Sequence, residues 1–131
     1  MRPPRRVLIV DDRRPVRAAL RALLALWPDV NCVGEAADGQ ESVRRVAEWH
    51  PDTVLMDIRM QGMDGLEATR RIKSQWPEVR VIALTLHAEC EAEALAAGAE
   101  ALLVKGGPPE LLREAIRQTT PAGMRPAMAV A

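Results

Sequence analysis

The chain has 131 residues, 48% of them apolar and 27% charged, the size and composition of one ordinary globular domain able to bury a single core. Eighteen basic side chains balance eighteen acidic ones, which excludes nucleic-acid binding through bulk positive charge, although local patches survive the cancellation. With three Trp and neither Phe nor Tyr, the aromatic platforms on which single-stranded nucleic acid stacks are missing as well.

The basic opening segment leads into Val7-Leu8-Ile9-Val10, which stops at Asp11-Asp12 and is far too short for a signal-peptide core. It reads as a first buried strand. Val16, Leu20, Leu23, Leu24 and Trp27 then recur on one face of a helix, which Pro28-Asp29 ends. Cys32-Val33-Gly34-Glu35-Ala36 reads as a weaker second strand. After the turn Asp38-Gly39, Val43, Val46, Ala47 and Trp49 follow at helical spacing until His50-Pro51-Asp52. Thr53-Val54-Leu55-Met56 is a third strand delivering Asp57, and a loop with Gly62 and Asp64-Gly65 leads into a helix over 66–75. Residues 79–84 form a fourth strand delivering Thr85. An alanine-rich helix over 89–97 ends at Gly98, a natural residue just past a helix. Residues 101–104 form a fifth strand delivering Lys105. Pro108 or Pro109 opens a last helix striped by Leu112, Ala115 and Ile116.

Five apolar strands alternating with amphipathic helices predict a parallel sheet covered on both faces, and right-handed crossovers make it a doubly wound α/β domain. The domain is expected over residues 1–118, with 119–131 a frayed tail or the start of a linker. No stretch approaches the ~20 apolar residues of a membrane span. No membrane contact and a cytoplasmic location are therefore expected. Cys32 and Cys90 are too few and too unpatterned for a disulfide framework or zinc site, and read as small buried hydrophobes.

The polar residues of interest all sit where a strand ends: Asp11 and Asp12, Asp57, Thr85 and Lys105. In an open parallel sheet, ligands bind outside the carboxyl ends of the strands, where the strand order reverses. If strands one and three flank that point, three carboxylates converge beside one hydroxyl and one ammonium. Such a group of acids holds a proton or a cation, and Mg²⁺ suits oxygen ligands of this kind. A lysine opposite supplies a point charge for a phosphate or acyl phosphate, and a threonine hydroxyl can donate to a phosphoryl oxygen. Carboxylate, divalent ion and cation together are what phosphoryl transfer to an aspartate requires.

Asp11-Asp12, the segment Met56-Asp57-Ile58-Arg59-Met60-Gln61-Gly62-Met63-Asp64-Gly65, Leu84-Thr85 and Val104-Lys105 together resemble the receiver domain of bacterial two-component response regulators, over about residues 5–118. The loop Gly106-Gly107-Pro108-Pro109-Glu110 and the Ala97-Gly98-Ala99 turn are most similar to receivers attached to helix-turn-helix DNA-binding domains. The resemblance implies a flavodoxin-like (βα)5 fold with strand order 2-1-3-4-5. It implies that Asp57 accepts a phosphoryl group from a sensor histidine kinase in a Mg²⁺-dependent step. It further implies that Asp12 binds the metal directly, Asp11 largely through water, Asp57 as acceptor, and Arg59 through its backbone carbonyl. Thr85 is expected to contact the phosphoryl group and carry the signal, and Lys105 to pair with that group. The output implied is transcription regulation through a DNA-binding domain outside these residues, with a homodimer left open and no direct nucleic-acid binding here. Such a protein is a stoichiometric acceptor that catalyses only its own phosphorylation and dephosphorylation, not an enzyme acting on others.

The sequence departs from the family's pattern in four places. Gln61 stands where a Pro is usual. Gly106 follows Lys105 in place of a Pro, so a trans bond is expected there. The stretch from Thr85 to Lys105 is about two residues short, and Leu102 replaces an aromatic residue that swings inward on activation. The last two bear on the signalling face and support an alternative, a phosphorylation-independent interaction module, which the intact acceptor and metal carboxylates oppose. A haloacid-dehalogenase-type phosphatase is opposed by Arg59 and Arg13, which stand where such a nucleophile needs a second Asp two positions on. Arg13, Arg14, Arg17 and Arg21 form a basic stripe on the first helix with no acid to balance it, by default a solvated face. His87 lies near the mouth of the site, His50 sits in a turn without a function, and the three Trp serve as core or cover.

Overall fold

The computed structural model describes residues 3–60, 62–86 and 88–118. Among the described residues strands and α-helices alternate: β1 (Arg5–Val10), α1 (Arg14–Leu24), β2 (Val30–Ala36), α2 (Gly39–Trp49), β3 (Thr53–Asp57), α3 (Gly65–Gln75), β4 (Arg80–Thr85), α4 (Glu91–Ala96), β5 (Ala101–Val104) and α5 (Pro109–Arg117). The five strands form one parallel sheet in the order β2-β1-β3-β4-β5, as the resemblance implies. The expected tail, 119–131, lies outside the described residues, as do Gln61 and His87.

The strands read as unbroken apolar runs because both faces are covered, and side chains alternate between two cores. Leu8, Val10, Val54, Met56, Val81 and Ala83 point to one, closed by Val46, Ala68, Ile72 and Ala94 from α2, α3 and α4. Val7, Ile9, Leu55, Ile82 and Leu84 point to the other, closed by Leu24 of α1 and Leu112 and Ile116 of α5. Trp27 belongs to the second core, while Trp49 and Trp76 cover the edge of the first.

Helix starts follow their capping residues. Asp38 accepts from the Glu41 amide at 2.8 Å, and Glu41 reaches back to the Ala37 amide at 2.8 Å, a reciprocal cap that satisfies two otherwise orphaned donors. Asp64 caps α3 by accepting from the Glu67 amide at 2.9 Å, while the Glu67 carboxylate turns to Arg70 and Arg71. α1 has no side-chain cap and no acid in its first turn.

The alanine-rich helix expected over 89–97 is divided. Ala88–Cys90 form a 3₁₀ turn and only Glu91–Ala96 are α-helical. Cys90 is buried, and the tighter turn carries it inward before the helix begins. Gly98, at φ 109°, ends the helix as expected. The turn into β5 is then tied down by Lys73 of α3, whose ammonium reaches Pro77 O, Val79 O and Glu100 Oε2 at 2.9, 2.8 and 2.7 Å.

At the opposite pole α5 is held by its own carbonyls. Arg5 donates to Arg117 O at 3.3 Å and Arg80 to Gln118 O at 3.2 Å. Asp29 binds Arg117 at 2.8 Å and Arg113 at 3.4 Å. Cations at a helix C-terminus complement the dipole and satisfy orphaned acceptors.

Candidate functional site

Strand register assembles the site. Val10 pairs with Met56, so the next residues, Asp11 and Asp57, leave neighbouring strands side by side. Asp57 pairs with Leu84 and Thr85 with Val104, which brings Thr85 and then Lys105 to the same edge. The structure therefore brings together all the residues expected from strand ends.

Asp11 and Asp57 are buried and Asp12 is exposed, and one carboxylate oxygen of each lies within 4.8 Å of the others. Lys105 bridges the two buried acids: its ammonium is 2.7 Å from Asp11 Oδ2 and 3.0 Å from Asp57 Oδ1. The other oxygen of Asp11 accepts from the Arg13 amide at 2.8 Å, and the Arg59 amide points to Asp57 Oδ1 at 3.4 Å. Thr85 is buried, and its carbonyl accepts from the Lys105 amide at 2.8 Å, which ties the two backbones together. The bond after Lys105 is trans, with Gly106 at φ 82°. Asp12 faces a groove of about 450 Å³ that it shares with Arg59, Asp64, Cys90 and Glu93. The Arg59 guanidinium lies 4.0 Å from Cys90 Sγ.

Burial lifts the Asp57 carboxyl above the ordinary carboxylate range; Lys105 pulls it back, and the charge of Asp11 adds to the lift. Burial works against the Lys105 ammonium, but its bonds to Asp11 and Asp57 outweigh this and hold it above the ordinary lysine value. The lysine is thus charged at neutral pH, and ionised Asp57 is a cost to the fold. A group whose folded pKa exceeds the unfolded 3.8 binds its proton more tightly when native. Its penalty is complete above the raised value and vanishes below the unfolded one. Asp57→Asn is accordingly expected to stabilise the metal-free chain by about 1 kcal/mol at neutral pH, with the advantage fading in acid. Thermal melts of both proteins at the two pH values check this. A variant no more stable than the parent at neutral pH would mean that Lys105 outweighs the burial.

Two residues to which the sequence assigned no role in the site help to position it. Gly65, first residue of α3, donates to Ile58 O at 3.0 Å and packs directly on the backbone of Asp57. A Cβ there would overlap the Asp57 carbonyl oxygen and lie 2.8 Å from Ile58 Cα. Arg17 donates to Asp11 O at 2.7 Å and to Glu35 Oε1 at 3.0 Å. Glu35 also takes Arg21 at 2.8 Å. This corrects the reading of the α1 stripe as unbalanced: two of its four cations are matched by an acid from β2. Among the described residues, Arg13 and Arg14 keep solvent-facing guanidiniums with no acid in ion-pair range.

Three carboxylate oxygens converging on one point, with an exposed Asp12 leaving access from solvent, form a hard-oxygen donor set that fits Mg²⁺. No helix among the described residues is long and apolar enough to cross a membrane.

The chain is similar to the transcriptional regulatory protein LiaR of Bacillus subtilis (strain 168), 40% identical over 114 residues that make up 86% of this chain and 54% of LiaR. It is 37% identical to the response regulator protein VraR of Staphylococcus aureus (strain Mu3 / ATCC 700698), over 88% of this chain and 56% of that one. The chain thus spans about half the length of these relatives. Among solved structures, the response regulator domain of Thermotoga maritima CheB superposes with a TM-score of 0.81 at 34% identity, over 88% of this chain and 96% of that domain. A two-component response regulator of the LuxR family from Aurantimonas sp. SI85-9A1 gives 0.81 at 36% identity, over 87% and 83%. The pattern of the response regulator receiver domain matches residues 7–117, spanning the sheet, both cores and the acidic site, and the chain belongs to that family.

Proposed function

We propose that this receiver accepts a phosphoryl group on Asp57 from the phosphohistidine of a sensor histidine kinase, in a Mg²⁺-dependent step. The observation that carries this reading is the Lys105 ammonium bridging Asp11 and Asp57 beside a third carboxylate. An Asp57 oxygen forms the new bond to phosphorus as the phosphorus–nitrogen bond breaks, its electron pair leaving on the imidazole nitrogen. Asp12, Asp11, Asp57 and the Arg59 carbonyl are the groups that would hold Mg²⁺, which supplies charge neutralisation for the transferring group. Lys105 and the hydroxyl of Thr85 take the phosphoryl oxygens not held by the metal. Each chain takes up one phosphoryl group and acts on no other substrate, so the protein is a stoichiometric acceptor that catalyses only its own phosphorylation and dephosphorylation.

LiaR is named a transcriptional regulatory protein, and that supports an output in transcription, executed by a DNA-binding domain outside residues 1–118. Such a switch works in the cytoplasm, where its kinase and its target both lie.

The test is intact mass after incubation with Mg²⁺ and acetyl phosphate. A gain of one phosphoryl group is expected, lost in Asp57→Asn and in the presence of a chelator. Asp12→Ala should weaken Mg²⁺ more than Asp11→Ala does, by calorimetric titration, because Asp12 is exposed while both oxygens of Asp11 are already taken by Lys105 and the Arg13 amide. A chain that never gains mass while still engaging a partner would favour the phosphorylation-independent module instead.

A further inference from the structure

The edge strand β2 reaches Asp11 in two ways. In the β1–β2 register Ile9 pairs with Glu35 and Val10 with Ala36, so the last two residues of β2 end beside the start of the acidic loop. The Ala36 carbonyl accepts from the Asp11 amide at 3.1 Å. Glu35 acts one step removed: its Oε1 takes Arg17 Nε at 3.0 Å, and Arg17 Nη1 donates to the Asp11 carbonyl at 2.7 Å. One guanidinium thereby spans from β2 to the backbone between Asp11 and Asp12. The Arg17 side chain is 15% exposed, so water competes little for these bonds. The rigid fork of a guanidinium also fixes the angle between its two acceptors.

That carbonyl belongs to the peptide joining Asp11 to Asp12, and the plane of this peptide decides the direction in which Asp12 leaves β1. Asp12 itself lies outside any helix or strand. The start of α1 offers it no support, because Arg13, the capping position, makes no side-chain capping bond. The Asp11 side chain is tied separately, through Lys105 and the Arg13 amide. An uncompensated guanidinium so near three carboxylates would also repel a divalent cation. Glu35 offsets that charge: Arg21 and Arg17 together hold its carboxyl below the ordinary carboxylate range, so it is ionised at neutral pH.

We propose that Arg17, aimed by Glu35, is a positioning residue for the metal site: this strut sets the peptide from which Asp12 projects, and thereby the affinity for Mg²⁺. The inference rests on the reading that the acid set holds Mg²⁺, and it gives neither residue a contact with the ion or the phosphoryl group. Groups that orient a metal's ligands without touching the metal commonly change its affinity by about 10- to 100-fold. Arg21 provides the comparison. It takes the other oxygen of Glu35 at 2.8 Å and, among the described residues, makes no bond to Asp11.

Calorimetric Mg²⁺ titration of the full chain tests it, with melts of the metal-free proteins to verify the fold. Arg17→Met, which keeps the apolar stem, should weaken Mg²⁺ about tenfold. Glu35→Gln keeps an acceptor but loses the charge and should weaken it about threefold, an effect that added salt reduces. The double variant should match Arg17→Met, because Glu35 acts through Arg17. Arg21→Met should change the affinity less than about twofold, although it too breaks an ion pair to Glu35. Amide exchange in the metal-free chain supplies a second readout. Arg17→Met should speed it at Arg13, whose N–H is held by Asp11 Oδ1, more than Arg21→Met does. Should Arg17→Met melt below the assay temperature, Glu35→Gln against Arg21→Met decides the question. Parental Mg²⁺ affinity in Arg17→Met, or an equal loss in Arg21→Met, would overturn the inference and leave the proposed function standing. A parent chain that binds no Mg²⁺ would overturn both.

Discussion

Lys105→Ala is expected to slow phosphoryl transfer to Asp57 by about 10²–10³-fold while leaving Mg²⁺ binding as strong as before or stronger. The lysine holds two buried acids at 2.7 and 3.0 Å and is the positive charge that the arriving phosphoryl oxygens would meet. Removing it takes away charge stabilisation that matters most as the phosphoryl group transfers. It also leaves Asp11 and Asp57 uncompensated, which should destabilise the metal-free fold by about 2 kcal/mol. A divalent ion replaces that lost charge, so added Mg²⁺ should recover most of the lost stability. The rate of mass gain from acetyl phosphate, a calorimetric Mg²⁺ titration and melts with and without metal cover the three parts. A variant phosphorylated at the parental rate would remove Lys105 from the chemistry.

The second large effect is expected at a residue with no polar side chain. Gly65→Ala should destabilise the domain by about 3–4 kcal/mol and sharply reduce phosphorylation. The new methyl would strike the Asp57 carbonyl oxygen, a backbone atom of a buried central strand that cannot swing aside. Either α3 is pushed off the sheet or Asp57 is displaced, and both disturb the acceptor. Gly62→Ala is the matching control. Gly62 has a φ of 77° but nothing within 4 Å of a Cβ, so the cost there is backbone strain alone, about 1 kcal/mol, with phosphorylation preserved. Chemical denaturation and the acetyl phosphate assay distinguish the two. Equal losses at both positions would mean that conformation, not contact, makes Gly65 necessary.

The strands and the acids at their ends were legible because they depend on local pattern. A run of aliphatic residues ending at Asp11 or Asp57 marks the edge of a buried strand whatever surrounds it. The register that then sets Asp11 beside Asp57 is the one the two apolar faces enforce, since a one-residue slip would exchange the cores. What the sequence concealed are the contacts made across it. Glu35 neutralises Arg17 and Arg21 from a different strand, a pairing that no helical spacing announces. Gly65 looks like an ordinary loop glycine beside Asp64, and its need arises only when α3 docks on the β3 backbone. The 3₁₀ turn before α4 is hidden for a related reason: Ala88 and Glu89 favour helix, and the burial of Cys90 decides where the α-helix begins.

The grip on the end of α5 has a mechanical consequence. Arg5, Arg80 and Asp29 hold Arg113, Arg117 and Gln118 at the foot of the sheet, while the helix begins just past the loop that carries Lys105. Nine residues make a rod of about 13 Å. The foot of α5, at Gln118, therefore lies about a rod's length from the loop that carries Lys105. A push on the Gly106-Gly107 loop at the head of this rod would tilt it about the charged clasp at its foot.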